Sequence, residues 1–220
     1  MNIGIFGGTF NPIHIAHLRI AEESRDQYAL SKVIFVPAAD PPHKPRRQQI
    51  SFAHRLAMVT SAIADNPFFA VSPLEGERSG KSYSIDTLRA FRESYPDDHL
   101  YFIMGSDSFA EIGTWHAYQD LFPLANIIVV GRPGSAGISP ASPLPVAIAD
   151  RFCYDDADKR LIHCSGTAVS YLNGVPMPIS SSSIRELLRR GRSVRYLVPD
   201  NVERYLKEHT LYAPSNPDLP

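Results

Sequence analysis

The feature that most constrains this sequence is a short apolar segment that ends in two adjacent glycines and leads into a helical pattern. Residues 3–6 are apolar and are followed by Gly7 and Gly8. A helix-period pattern then spans residues 15–30, and a second apolar run covers residues 33–36. Strand, helix and strand in this order form a βαβ unit, whose two strands are parallel. The chain therefore begins by building a parallel sheet.

The same alternation continues along the chain. Further strands are predicted at residues 68–71, 100–104, 127–130 and 161–163, and further helices at 51–65, 84–95, 180–190 and 201–209. This order predicts an α/β fold, a doubly wound and mostly parallel sheet with helices on both faces. We expect one domain over residues 1–212, a mobile Gly-, Ser- and Pro-rich surface loop at 132–145, and a disordered polar tail at 213–220.

The composition disfavours several classes of protein. The formal net charge is −1 at pH 7, so nothing predicts a nucleic-acid or membrane partner. Two cysteines, Cys153 and Cys164, are too few for a disulfide framework. The sequence also has neither a signal-peptide pattern nor an apolar segment of membrane-spanning length. We expect a cytoplasmic protein that acts on small molecules, and a homo-oligomer is compatible with this sequence.

The stretch from Gly7 to His17 joins the first predicted strand to the first helix. In a parallel sheet this junction lies at the carboxyl edge, where ligands bind. Glycines let a ligand approach the backbone closely, and the N–H groups of a helix start attract anions. His14 and His17 would share one face of the helix, so both could contact a phosphate. A metal site is less well supported because a third ligand is not nearby, and two solvent-facing histidines without function are the simpler alternative.

A second motif, Pro41-Pro42-His43-Lys44, follows the second strand. The prolines stiffen this loop and would hold Lys44 in a defined place. Lys44 then either contacts a phosphate or belongs to a solvated basic turn, and the pattern alone leaves both interpretations open.

A third motif covers residues 179–185, where Ile179 is followed by four serines, Ile184 and Arg185. One serine is enough to cap the helix that follows, so capping alone is the simpler interpretation. Additional hydroxyls beside the helix-start N–H groups, with Arg185 one turn further on, would form a strong polyphosphate site. Residues 76–82 look like a second phosphate loop, but three residues separate their glycines where a P-loop has four, so we reject it.

Together these segments resemble the nucleotidyltransferase superfamily and, within it, the bacterial nicotinate-nucleotide adenylyltransferases. The matching segments follow the family's order over nearly the whole chain: residues 7–17, 41–44, 82–88, 105–108, Trp115 and 179–185. Two positions depart conservatively from the family pattern. Ala16 stands where glycine is usual, and Ser106 replaces the commoner alanine.

The resemblance implies a Rossmann-like nucleotidyltransferase fold and an enzyme that transfers AMP from ATP to nicotinate mononucleotide. The products would be nicotinate adenine dinucleotide and pyrophosphate, a step of NAD biosynthesis, with Mg²⁺ arriving on ATP and no metal held by the protein. The implied catalytic residues are His14, His17, Lys44 and Arg185. The implied ATP-binding residues are Gly7, Gly8, Thr9, Phe10, Gly105, Asp107, Ile179, Ser181 and Ser182. The implied residues around the nicotinate group are Tyr83, Ser84, Thr87 and Trp115.

Several alternatives remain at this point. The chain could be a related adenylyltransferase for phosphopantetheine or nicotinamide mononucleotide, or a nucleotide-binding regulator without catalysis. The 82–88 segment disfavours phosphopantetheine, and the intact histidine pair disfavours the regulator. Trp115 could be a packed core aromatic. Ser84 is expected to be the N-cap of its helix, whose first N–H groups suit a carboxylate, although it could be a cap without further function.

Overall fold

The computed structural model describes residues 1–42, 49–131, 144–172 and 177–213. These residues form one sheet of eight strands with helices on both faces. The strands are β1 Asn2–Gly8, β2 Lys32–Pro37, β3 Phe69–Val71, β4 His99–Gly105, β5 Asn126–Val130, β6 Phe152–Asp155, β7 Arg160–His163 and β8 Ala168–Leu172. The helices are α1 Ile15–Gln27, α2 Phe52–Ala62, α3 Leu74–Glu77, α4 Ser84–Ser94, α5 Ser106–Ala110, α6 Leu121–Leu124, α7 Ser181–Arg189 and α8 Asp200–Glu208. Short 3₁₀ helices lie at Ile112–Thr114, Tyr118–Asp120 and Val146–Arg151.

The strand order is β3-β2-β1-β4-β5-β8-β7-β6. Every pairing from β3 across to β8 is parallel, whereas β7 is antiparallel to both of its neighbours. This arrangement confirms the prediction of a doubly wound, mostly parallel sheet. The sheet extends further than predicted, because β6 and β8 were not expected from the sequence.

The core consists of two apolar layers, one on each face of the sheet. Alternate residues of each strand point into opposite layers, as Ile34 and Phe35 of β2 do. Buried side chains of α4, α5 and α6 cover one face, and those of α1, α2, α7 and α8 cover the other. A long apolar helix able to cross a membrane is not found among the described residues.

The connection from β1 to β2 packs on one face of the sheet, and the connection from β3 to β4 packs on the other. Helix α1 joins β1 to β2 on the layer that holds Phe6, whereas α4 leads into β4 on the layer that holds Ile5. Because β1 lies between β2 and β4, the direction of winding changes there. Such a switch point leaves a crevice beyond the carboxyl ends of the two strands, and ligands bind in it.

Helix α1 ends at Gln27, three residues before the predicted end at residue 30. Ala29 has a left-handed backbone with φ of 47°, which stops the helix. The Leu30 N–H then reaches back to the carbonyl oxygen of Arg25 at 2.9 Å. The helical pattern continued through Leu30 because that side chain is also core, at 2% exposure.

Candidate active site

Glycines end both strands beside the crevice, Gly8 in β1 and Gly105 in β4. A Cβ added at Gly8 would lie 2.8 Å from the ring of Phe10, so this position requires glycine for the Phe10 side chain to fold back over it. Phe10 is buried and its backbone is left-handed, with φ of 46°. Gly105 ends β4 on the other side of the crevice, and a Cβ there would meet no atom within 4 Å. On the β1 side of the crevice, the Phe10 ring therefore packs closely on the backbone of Gly8, whereas the β4 side is open above Gly105.

His14 and His17 lie together at the start of α1, as predicted. His14 is the N-cap residue, and its backbone N–H donates to Nδ1 of His17 at 3.2 Å. Their rings are stacked with centroids 3.6 Å apart. Phe10 packs its ring edge-on against His17, with centroids 5.1 Å apart. The two imidazoles therefore have fixed positions beside the helix start.

The two histidines differ in their electrostatics. His14 is 4% exposed, and burial lowers its pKa to about 4, so its ring is neutral at pH 7. Its Nδ1 is buried with no hydrogen-bond partner among the described residues. In His17, Nδ1 accepts a hydrogen bond, so the proton of its neutral ring is on Nε2. His17 is thus arranged to donate through Nε2.

The start of α7 contacts the β1–α1 loop directly. Ser180 is the N-cap, and its hydroxyl accepts from the Ser183 N–H at 3.1 Å. The hydroxyl of Ser181 donates to the carbonyl oxygen of Pro12 at 2.9 Å, and Nη1 of Arg185 donates to that of Asn11 at 2.9 Å. Two serines of the predicted segment, Ser180 and Ser183, therefore form the helix cap, and a third, Ser181, contacts the β1–α1 loop.

Three further predicted residues surround this arrangement. Ser182 accepts from Nη2 of Arg185 at 3.2 Å. Ile179 packs its partly buried side chain against the layer that holds Phe10. Thr9 accepts a hydrogen bond from Arg55 through its carbonyl oxygen, as described below. The 7–17 and 179–185 motifs thus form one site at the end of β1.

Helix α5 begins at the end of β4. Gly105 is its N-cap, and Asp107 lies exposed in its first turn. The backbone therefore turns from strand into helix directly at the crevice, next to the open space over Gly105. Both residues follow the end of β4, which pairs with β1, and the histidine pair lies at the start of the helix that follows β1.

Three of the four residues expected around the nicotinate group, Tyr83, Ser84 and Thr87, lie at the start of α4. The helix begins at Ser84 with Tyr83 as its N-cap, so the prediction of Ser84 as N-cap is wrong by one residue. The reason is that the Tyr83 backbone is still extended, with φ of −88° and ψ of 130°, and Ser84 is already the first helical residue. The hydroxyl of the nearby Ser82 accepts from backbone N–H groups of another loop, those of Ala39 and Asp40 at 2.9 and 3.0 Å. The first turn of α4 still follows an extended loop, as predicted.

Thr87 and Trp115 both have contacts with the interior of the protein. The buried Thr87 hydroxyl donates to Oε1 of Glu75 at 2.7 Å and accepts from Arg78 at 3.0 Å. Trp115 is partly buried and packs edge-on against Phe102 of β4, with ring centroids 6.5 Å apart. Thr87 thus joins the first turn of α4 to Glu75 and Arg78, and one side of the Trp115 ring packs on the core residue Phe102.

Two residues of this region were not predicted from the sequence. The ring of His116 packs against Tyr83 with centroids 4.5 Å apart, which joins the Trp115 segment to the start of α4. Arg55 is buried on the sheet side of α2 together with Met58, Val59 and Ala62. Its spacing from these apolar residues marks it as a charged residue in an apolar stripe, which is a signal that the sequence contains.

Lys44 falls in the stretch 43–48, outside the described residues, as do residues 132–143 of the expected surface loop and 214–220 of the expected tail. Among the described residues, no group of three or more His, Cys, Asp or Glu side chains is arranged to hold a metal ion. The donors gathered at the crevice are helix-start N–H groups, His17 and Arg185. That set suits a polyanion, whose negative oxygens accept from all of them.

Comparison with known proteins agrees with this geometry. The cytidylyltransferase-like family matches residues 5–187. A protein of Citrifermentans bemidjiense named "Probable nicotinate-nucleotide adenylyltransferase" is 61% identical over 96% of this chain and 98% of its own. One of the same name from Geobacter sulfurreducens is 56% identical over 97% of this chain and 99% of its own.

A solved structure shares the fold. It is a Plasmodium falciparum nicotinic acid mononucleotide adenylyltransferase complexed with NaAD, with a TM-score of 0.71 and 21% identity over 96% of this chain and 97% of the other. At that identity the likeness concerns the architecture alone, and it agrees with the nucleotidyltransferase type of doubly wound sheet that the sequence predicted.

Proposed function

This chain belongs to the cytidylyltransferase-like family and, within it, to the nicotinate-nucleotide adenylyltransferases, and we propose that it joins AMP from ATP to nicotinate mononucleotide by direct in-line attack. The products are nicotinate adenine dinucleotide and pyrophosphate, and the reaction is a step in NAD biosynthesis. We further propose that the enzyme works in the cytoplasm on these small molecules alone.

The observation that carries this proposal is the contact between the two halves of the phosphate site. Ser181 and Arg185 of α7 bind carbonyl oxygens of the β1–α1 loop, and so hold the start of α7 beside His14 and His17. Two helix starts, an imidazole donor and a guanidinium then face one volume. A triphosphate is the nucleotide group whose charge and length match such a set.

In this proposal the ATP site is made of residues that follow β1, β2 and β4 and of residues at the starts of α1, α5 and α7. His14 and His17 contact the phosphates, and Gly105 and Asp107 hold the adenosine ribose. The remaining phosphate-side residues are Gly7, Gly8, Thr9, Phe10, Ile179, Ser181 and Ser182. Lys44 is proposed to contact phosphate from the loop after β2. Mg²⁺ is proposed to be part of the substrate, because it would enter with ATP and keep most of its water ligands.

The nicotinate group is proposed to lie at the start of α4. The N–H groups of Ser84 and its neighbours carry partial positive charge and suit a carboxylate. Tyr83 and Trp115 supply aromatic surface for the pyridine ring. Thr87 contributes by fixing the helix start, since its hydroxyl is bonded to Glu75 and Arg78. Oδ1 of Asp86 in the same turn lies 3.9 Å from Nη1 of Arg89, and the Asp86 side chain is 44% exposed, which supports a direction away from the ligand.

The chemistry needs positioning and charge stabilisation. A 5′-phosphate is already an anionic nucleophile at neutral pH, so it can attack the α-phosphorus of ATP without a general base. Negative charge then grows on the α-phosphate oxygens and on the departing pyrophosphate. His17, Lys44 and Arg185 are proposed to stabilise that charge by donors fixed before the reaction begins.

The in-line proposal is tested by stereochemistry at the α-phosphorus. The chain is given nicotinate mononucleotide and one diastereomer of ATP carrying sulfur on the α-phosphate, and the configuration of the dinucleotide product is determined. One direct displacement inverts the configuration. Retention would require two displacements through an adenylylated protein group, and it would overturn the direct mechanism.

A further inference from the structure

Arg55 is a buried charge that the reaction proposed above does not use. It lies on α2 beside Met58 and Val59 and is 1% exposed. Burial lowers the pKa of its guanidinium below the ordinary value, which reflects the loss of water around the charged group. A guanidinium is retained in such surroundings only if its N–H groups are bonded to other polar atoms.

The hydrogen bonds of Arg55 reach three separate segments. Nη1 donates to the Thr9 carbonyl oxygen at 2.8 Å, and Nη2 donates to that of Ala39 at 3.3 Å. Nε lies 3.4 Å from the carbonyl oxygen of Ile50. Thr9 is in the loop after β1, and Ala39 is in the loop after β2. A hydrogen bond from the Ala38 N–H to the Gly8 carbonyl oxygen, at 2.8 Å, already joins these two loops. The planar guanidinium, with its fixed N–H directions, joins them again one residue further along each loop.

The loop after β2 is in turn bound to the nicotinate side of the site. The Ala39 and Asp40 N–H groups both donate to the hydroxyl of Ser82, and the Ser82 N–H donates to the Asp40 carbonyl oxygen at 3.0 Å. Ser82 immediately precedes Tyr83, the N-cap of α4. A continuous set of hydrogen bonds therefore runs from Thr9 through Arg55 and Ala39 to Ser82.

We propose that Arg55 is a positioning residue that fixes the spacing between the ATP loop and the nicotinate segment. This inference rests on the proposed function. Arg55 bonds the backbones that carry the two half-sites, so each substrate keeps its own contacts when Arg55 is changed. The alignment of the mononucleotide phosphate with the α-phosphorus depends on the spacing between the half-sites. A misplacement of about 1 Å costs on the order of a hundredfold in rate.

The test is Arg55→Lys, which keeps the charge and loses the planar fork. We expect kcat to fall about tenfold or more, while KM for ATP and for nicotinate mononucleotide each change less than about threefold. Arg92→Lys is the matched control. Arg92 also donates to carbonyl oxygens, those of Asp98 at 2.8 Å and Leu124 at 2.7 Å, but these residues precede β4 and β5 at the opposite edge of the sheet. Its loss should lower the thermal stability and leave kcat within about twofold.

Ser82→Ala breaks the same set of hydrogen bonds from its other end and serves if Arg55→Lys fails to fold. It should lower kcat without a matching rise in either KM, and in the double variant the two effects should be less than additive. Three outcomes would each overturn the positioning role. They are an unchanged kcat in a folded Arg55→Lys enzyme, an unchanged kcat in Ser82→Ala, and a fall in kcat in Arg92→Lys that equals the fall in Arg55→Lys. An unmodified chain that forms no dinucleotide would instead contradict the proposed function.

Discussion

His17 is the residue whose local geometry points most directly to a role in the transition state. Its Nδ1 accepts the His14 N–H, and Phe10 packs against the ring, so the imidazole has little freedom. This leaves Nε2 as the donating nitrogen. A donor fixed in advance stabilises developing charge without reorganisation during the reaction.

We therefore predict that His17→Ala lowers kcat far more than it raises KM for ATP. The loss should be about 2.7–4 kcal/mol of transition-state stabilisation, or a hundredfold or more in rate. Steady-state kinetics on a variant shown to be folded by circular dichroism measure it. A kcat within threefold of the parent enzyme would remove His17 from the catalytic role.

His14 makes stability depend on pH. Its pKa is about 4 in the folded chain and 6.5 ordinarily, so between these values the unfolded chain binds more protons. Stability attributable to the neutral ring is therefore complete above pH 6.5 and is lost as the pH falls toward 4, by at most about 1.4 kcal/mol per pH unit.

The prediction is that His14→Gln flattens this pH dependence. Urea unfolding at pH 7, 6, 5 and 4.5 gives the free energy of unfolding of both proteins. From pH 7 to pH 4.5, the free energy of unfolding of the parent protein should fall more steeply than that of His14→Gln. Parallel curves would mean that the His14 ring gains a proton as readily in the folded chain as in the unfolded one.

At the scale of secondary-structure elements, the site is made where strands end and helices begin. The ends of β1 and β4 supply Gly8 and Gly105, and the starts of α1, α5 and α7 supply the N–H groups. The strand runs and the serine cap were predictable because buried parallel strands are apolar and caps have a narrow choice of residues. The contact of α7 with the β1–α1 loop was not predictable, because its two hydrogen bonds join residues that are separated by 169 and 174 positions in the sequence.

Strands β6 and β8 were missed for a related reason. β6 is four residues long and its Cys153 and Tyr154 are exposed, so it is not a buried apolar strand, and β8 includes the partly exposed Ser170 and Tyr171. β6 pairs with β7, and β8 pairs with both β5 and β7, and a single-segment pattern cannot show such pairing. The position of Arg55 in the apolar stripe of α2 indicates burial, but its role was missed because its partners are backbone carbonyl oxygens, which residues of any type supply.

The segment around Trp115 gives a prediction at this scale. Trp115 is the single tryptophan of the chain, and one side of it packs on Phe102. If its other side meets the nicotinate ring, its fluorescence should change on addition of nicotinate mononucleotide and stay constant on addition of AMP. A titration at fixed excitation measures this. An unchanged spectrum at saturating mononucleotide would indicate a purely core aromatic.

At the scale of the whole molecule, the two proposed substrate sites lie on either side of the switch point in the sheet. The proposed ATP side is built on β1, α1 and α7, and the proposed nicotinate side on α4 and the Trp115 segment. The fold brings both to the carboxyl edge because each follows the end of a parallel strand. Transfer of AMP between two bound molecules requires such a shared edge.

The most direct measurement of the central claim compares the acid and amide substrates. Dinucleotide formation and pyrophosphate release are followed at fixed ATP and salt, with nicotinate mononucleotide in one series and nicotinamide mononucleotide in the other. The carboxylate accepts from the N–H groups at the start of α4, whereas the amide NH₂ would face them as a second donor. An unpaired donor costs about 1–3 kcal/mol, so kcat/KM should favour the acid by about tenfold to a hundredfold or more. Equal values, or a preference for the amide, would contradict the account.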